Sequence, residues 1–197
     1  MEEFGVINFE RINQLHDVFV ALSRIIDYPD EQTFTSEVRQ LITNNPALQK
    51  DLKEAILTQF DLLAKQNFLE QQSHYANLFE MNRRYTLYMS YYKMTDSRER
   101  GTIIAKLKML YEMFGISEIS SELADYLPMM LEFFAYADFM DDERKNDLNL
   151  ALGVIEDGTY TLLKNAVPDA DDPYMKLIRQ IRNVIRSCIE TEVKIDA

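Results

Sequence analysis

The chain has 197 residues, with 21 Lys and Arg against 33 Asp and Glu, a formal net charge of −12. Such a field opposes a polyanion, which disfavours a nucleic-acid binder and makes a basic partner the better match. Five Gly and five Pro are too few to punctuate an all-β sandwich or a doubly wound sheet; the expectation is an all-α, single-domain helical bundle over residues 1–197.

Met1 to Asn8 carries Glu2 and Glu3 where a targeting signal would have a basic region before an apolar run, and no stretch of 18 apolar residues follows. The single cysteine, Cys188, excludes an intrachain disulfide framework, so a cytoplasmic chain in a reducing compartment is expected. Ile12, Leu15, Val18, Phe19, Leu22, Ile25 and Ile26 recur on one helical face behind a possible Asn8 cap, and Tyr28-Pro29 ends that helix. A second helix spans roughly 31–43. Asn44-Asn45-Pro46 then reads as stop, cap and first turn of a third, running to about Gln66. A fourth covers Phe68 to Glu80.

Between Met81 and Met94 lie Tyr85, Tyr88, Tyr91, Tyr92 and Met89, and the spacing of Met81, Tyr85, Tyr88 and Tyr92 predicts one shared helical face. Such a segment is either ordinary core or the adaptable wall of a groove that takes an amphipathic peptide. Ser97 opens a helix through Ile103, Ile104, Leu107, Leu110, Tyr111 and Phe114, capped by Gly115. Leu127-Pro128 begins an apolar helix that is buried nearly all round. Residues 141–167 are helical in pattern, with a break or bend predicted near Asp157-Gly158. Asp172-Pro173 caps the last helix, whose Tyr174, Leu177, Ile178, Ile181, Ile185 and Cys188 face inward while Lys176, Arg179, Arg182 and Arg186 line a solvated side.

Catalytic constellations are scarce. There is no Glu-x-x-His pair, His-Glu-x-x-His motif, phosphate-binding glycine loop or Gly-x-Ser-x-Gly elbow. Of the two histidines, His74 follows Glu70 by four residues, a spacing that favours hydrogen bonding over a metal site. Cys188, on an apolar face, reads as inert. The cluster Asp138, Asp141, Asp142 and Glu143 has two readings, magnesium binding in a helical synthase or the capping of a helix near Asp142.

Three ordered blocks carry a resemblance. Tyr75-Ala76-Asn77-Leu78-Phe79-Glu80 with Arg83-Arg84, Thr86-Leu87-Tyr88 and Tyr91-Tyr92 comes first, then Asp96-Ser97-Arg98-Glu99-Arg100-Gly101, then Glu122-Leu123-Ala124-Asp125-Tyr126-Leu127-Pro128 with Leu131-Glu132-Phe133. Over roughly Tyr75 to Ala135 they resemble the NarJ-type chaperones for molybdenum cofactor assembly of respiratory nitrate reductase, the delta subunit family. Ala124 stands where that family usually has proline, and Tyr126 where histidine is frequent, so no role of that histidine is carried over.

The resemblance implies an all-helical, non-catalytic cytoplasmic chaperone, without a cofactor of its own, that binds the N-terminal segment of the apo catalytic (alpha) subunit. It would hold that subunit competent for molybdopterin guanine dinucleotide and iron–sulfur insertion and delay membrane docking. The peptide-binding residues it points to are Tyr75, Phe79, Glu80, Arg83, Tyr88, Asp125, Tyr126, Leu127, Pro128 and Glu132. Leu127 and Pro128 would shape the helix start beside a groove and Asp125 would cap it; Glu80, Asp125 and Glu132 would face a basic group. Phe79 and Leu127 also fit a plain core role. The residues alone leave a magnesium-dependent synthase on Asp138, Asp141 and Asp142, or a helical scaffold or regulator, as alternatives.

Overall fold

A computed structural model describes residues 6–93, 97–116, 122–139 and 143–190. Asn8 Oδ1 accepts the Arg11 amide at 2.8 Å and starts α1 (Phe9–Gln14). Leu15 leaves helical geometry, and α2 (His16–Ile25) follows, so the first predicted helix is two pieces. Thr35 caps α3 (Ser36–Thr43), because residues before it are held in a turn in which Asp30 Oδ1 accepts from the Gln32 amide and the Thr33 hydroxyl.

α4 (Lys50–Ala64) begins four residues beyond Pro46. The cause is Asn45, whose Oδ1 accepts the Ala47 and Leu48 amides at 3.0 Å in a side-chain turn, while its Nδ2 donates to the Gln14 carbonyl. α5 (Phe68–Tyr75) opens with a capping box between Asn67 and Glu70, and a π turn (Ala76–Glu80) continues it. Glu70 is thereby occupied away from His74, which instead meets Asp172 through Nε2 at 2.7 Å.

α6 (Ser97–Met113) ends at Gly115, whose φ of +79° is the left-handed cap its sequence predicts. α7 (Leu127–Tyr136) packs its apolar faces into the centre, mainly against α2, with Phe19 and Phe134 rings 5.7 Å apart. A short 3-10 turn (Glu143–Asp147) leads into α8 (Leu148–Asn165), and a second (Val167–Asp169) into α9 (Pro173–Ser187). α9 packs against both α4 and α8, burying Leu177, Ile178, Ile181, Val184 and Ile185, each contributing ~1.5–3 kcal/mol of transfer energy. Two residues at each end, β1 (Val6–Ile7) and β2 (Ile189–Glu190), pair antiparallel and join the ends of the described chain. Cys188 is buried beside them, and desolvation pushes its thiol up to about 12.

Tertiary packing overrules a break at Gly158 and a shared helical face over 81–93. α8 runs without a break through Gly158, whose missing side chain serves a different purpose: a Cβ there would lie 2.6 Å from the Met89 carbonyl oxygen and 2.8 Å from its Cα. Gly158 lets the segment 81–93 lie directly on α8. That segment is not a helix. It is a run of turns in which Met81 is 77% exposed and Tyr85 fully buried, with the Tyr85 hydroxyl donating to Asp169; one helical face could not place both so.

The basic side of α9 is partly neutralised. Arg182 pairs with Glu156 and lies 5.3 Å over the Tyr160 ring, Arg186 reaches the same carboxylate at 3.9 Å, and Lys176 meets Asp171 at 3.0 Å. Asp138 is exposed; Asp141 and Asp142 of the acidic cluster lie outside the described residues.

Candidate functional site

A cleft of about 470 Å³ opens where α5 and its π turn meet the loops 82–91 and 122–126. Tyr75, Phe79 and Glu80 come from the helix; Asn82, Arg83, Thr86, Leu87, Tyr88 and Tyr91 from the first loop; Glu122 and Tyr126 from the second. The π turn adds a residue to the helical repeat just where Phe79 must face the cleft, a distortion frequent at functional sites.

Backbone pairing between the two loops builds the wall. The Leu127 amide donates to the Leu87 carbonyl and the Met89 amide to the Asp125 carbonyl, both at 2.8 Å, and Tyr88 and Tyr126 bridge antiparallel with rings 5.3 Å apart. The Tyr111 hydroxyl donates to the Ala124 carbonyl at 2.6 Å, tying the second loop to α6.

Beneath this wall Asp125 is fully buried. Its Oδ2 accepts from the Ser90 amide and hydroxyl and from the Arg100 guanidinium at 3.2 Å, while its Oδ1 has no hydrogen-bond partner among the described residues. The Arg100 guanidinium sits 5.8 Å from the centres of both the Tyr88 and Tyr91 rings. Asp125 is therefore an internal tie rather than a cap: α7 has no side-chain cap, and this carboxylate does not face solvent.

A chain of hydroxyls runs along the other side. Tyr126 donates to Asp27 at 2.8 Å, which leaves its oxygen to accept from Tyr75 at 2.9 Å. Burial pushes both phenols far above their ordinary range, so they remain protonated donors. Tyr88 donates to Glu122, and burial together with that carboxylate pushes its phenol up to about 12. Tyr75, Phe79 and Tyr174 pack edge to face behind the cleft, with ring centres 5.0 to 5.8 Å apart.

Of the ten residues singled out from sequence, Tyr75, Phe79, Glu80, Arg83, Tyr88 and Tyr126 meet at this cleft. Leu127 and Pro128 are buried at the start of α7 and shape the bundle core. Glu132 lies apart on the outer side of α7, where partial burial first, and then Asp27, raises its carboxyl against the opposing pull of Arg24. Asn82, Thr86, Leu87, Tyr91 and Glu122 also line the cleft and were not among those ten, although all five lie within or beside the quoted blocks. Asp27 carried no local signal, since its partner Tyr126 is 99 residues away; Arg100 stands in the second quoted block, but its pairing with Asp125, 25 residues on, was not legible there.

The arrangement offers aromatic faces beside two carboxylates and one guanidinium in an open cleft of mixed polar and apolar lining, which can take both apolar and charged groups. Among the described residues no group of three His, Cys, Asp or Glu side chains is placed to hold a metal, and no helix is long and apolar enough to cross a membrane.

Comparison with known proteins gives a match of residues 45–176 to the family model described as nitrate reductase delta subunit. The probable nitrate reductase molybdenum cofactor assembly chaperone NarJ of Bacillus subtilis (strain 168) is 34% identical over 125 residues, 61% of this chain and 65% of its own length. The nitrate reductase molybdenum cofactor assembly chaperone NarJ of Escherichia coli (strain K12) is 30% identical over 118 residues, 59% of this chain and 50% of its own. The nitrate reductase-like protein NarX of Mycobacterium tuberculosis (strain ATCC 25618 / H37Rv) is 28% identical over 122 residues, only 18% of its length. The chain thus spans between half and two thirds of the two chaperones it matches.

Proposed function

The chain belongs to the nitrate reductase delta subunit family, and from that we propose that it is a molybdenum cofactor assembly chaperone whose cleft binds the N-terminal segment of the apo catalytic subunit of nitrate reductase. Held in this way, the subunit stays open to cofactor insertion and is kept from docking at the membrane too early. The chaperone works in the cytoplasm and does no covalent chemistry.

The observation that carries this reading is the convergence of Tyr75, Phe79 and Glu80 with Tyr88 and with Tyr126, from two blocks about 40 residues apart, on one aromatic cleft. Aromatic walls supply apolar contact area at low entropic cost, and the chain's net charge of −12 would speed encounter with a basic segment. Glu80 and Arg83, both exposed at the cleft edge, would fix the register of that segment through its charges.

Isothermal titration calorimetry with a synthetic peptide of the first ~20 residues of the catalytic subunit, about 30 Å if helical, tests the reading. Saturable binding that Tyr88→Ala or Glu80→Lys weakens is expected. Absence of binding to the wild-type chain refutes it.

A further inference from the structure

A second cleft, about 330 Å³, lies at the opposite end of the helix that builds the first. It is lined by Asp30, Glu31, Phe34, Ala64, Phe68 and Gln71, with two carboxylates and no Lys or Arg. Phe68 is 43% exposed, and its neighbour Leu69 is 72% exposed. Phe68 is thus a large apolar side chain left partly in water at an acidic rim, with Leu69 exposed next to it in the chain.

The two clefts share a helix face. Gln71, Tyr75 and Phe79 follow Phe68 at intervals of three, four and four residues, the spacing of one stripe along α5 and its π turn; Phe68 is half-exposed, and the other three are largely buried and reach the clefts only by their edges. Phe68 and Gln71 line one cleft; Tyr75 and Phe79 line the other. At 1.5 Å per residue the ends of the stripe are roughly 15 Å apart. Its middle is crossed by the segment between α2 and α3: Gln72 Nε2 donates to the Pro29 carbonyl at 3.1 Å, and the half-exposed Tyr28 ring stands edge-on to Tyr75 at 5.5 Å. This strap brings a third carboxylate, Asp27, which anchors Tyr126 of the first cleft.

We propose that the two clefts are the ends of one docking surface, occupied by a basic amphipathic segment that straddles the Tyr28 strap, seats one apolar anchor in each cleft and turns its cations toward Asp27, Asp30 and Glu31. Charge selects the occupant: the second cleft presents only acidic ionisable side chains, and the chain as a whole is strongly acidic. The inference rests on the chaperone reading and gives it a length rule. A helical partner needs about 11 residues, roughly three turns, between anchors to span both ends.

The test uses the full chain and the same ~20-residue peptide, long enough to span both clefts as a helix, together with versions shortened from either end. In a chain carrying Glu31→Lys and Phe68→Ser, with circular dichroism confirming the fold, the full peptide is expected to bind roughly tenfold more weakly or worse. A shortened peptide that still responds to Glu80→Lys is expected to ignore the pair. If the double variant unfolds, Glu31→Lys alone replaces it, with an expected loss of about threefold, which reversal of one exposed interfacial charge can produce. Full-peptide affinity untouched by these changes but weakened by Glu80→Lys overturns the two-cleft inference and leaves the first cleft as the site. No binding to wild type overturns both.

Discussion

Replacing Gly158 by alanine tests how closely the cleft-bearing loop lies on α8. In a helix interior, alanine is favoured over glycine by about 1 kcal/mol. Here the added Cβ would meet the Met89 carbonyl oxygen at 2.6 Å and its Cα at 2.8 Å, against an optimum near 3.5–4.0 Å for carbon pairs. The obstacle is backbone, so the loop must move as a unit, an overpacking cost of ~1–3 kcal/mol. Gly101 in α6 supplies the control, since a Cβ there meets nothing within 4 Å. Gly101→Ala should raise stability by about the helix-propensity gain. Comparing the two variants cancels that gain: Gly158→Ala should be less stable than Gly101→Ala by ~1–3 kcal/mol, a difference in Tm of several degrees for a chain of this size. Urea titration and thermal melts read it directly. Because Met89 adjoins Tyr88, Gly158→Ala should also weaken peptide binding, while Gly101→Ala leaves it unchanged. If both alanines stabilise equally, the loop does not rest on α8 and the wall of the cleft is wrongly placed.

Other outcomes follow from the buried and titrating groups. Arg100→Ala leaves the fully buried Asp125 carboxylate without its cation, and loss of one partner of such a pair costs ~3–5 kcal/mol in urea unfolding; Arg100→Lys should recover part of that, since it restores charge but not the planar contact with Tyr88 and Tyr91. The Glu132 carboxyl is raised in the folded chain, so the folded state holds its proton to higher pH than the unfolded state. Stability from this group is complete below the ordinary carboxyl range and is lost as pH rises through the raised value; Glu132→Gln should flatten that fall in a pH series of melts, and an unchanged slope refutes the assignment. Cys188 should resist thiol reagents in the native chain and react at the rate of unfolding, whereas prompt labelling would contradict its burial.

Most helix positions were legible where a cap and an apolar period agreed, although the first helix divides at Leu15 and the third begins at Lys50, not at Pro46. Asn8, Gly115 and Asp172 act as the sequence predicts, and α9 buries the face its spacing marks. The stretch 81–93 was not legible, although Met81, Tyr85, Tyr88 and Tyr92 repeat at helical intervals. Its backbone finds partners in 122–127, and those non-local hydrogen bonds outweigh a period that aromatic residues satisfy by coincidence. Asp125 failed as a cap for a similar reason: Ser90 and Arg100, distant in sequence, claim its carboxylate. The resemblance rested on order and composition of short blocks, not on local structure, so it named residues that lie far apart in the chain and close together in the fold. Six of the named residues share the cleft, while Asp27, the Arg100–Asp125 pairing and the Gly158 contact depend on tertiary placement that no local pattern encodes.

The most direct measurement is co-purification of the catalytic subunit with the tagged chain from cells unable to make the molybdenum cofactor, comparing wild type with the cleft variant Tyr88→Ala carrying Glu80→Lys. A chaperone acting through this cleft retains the apo subunit as wild type and loses it as the folded variant. Equal recovery with both would place the binding surface elsewhere, and no recovery with wild type would contradict the chaperone function itself.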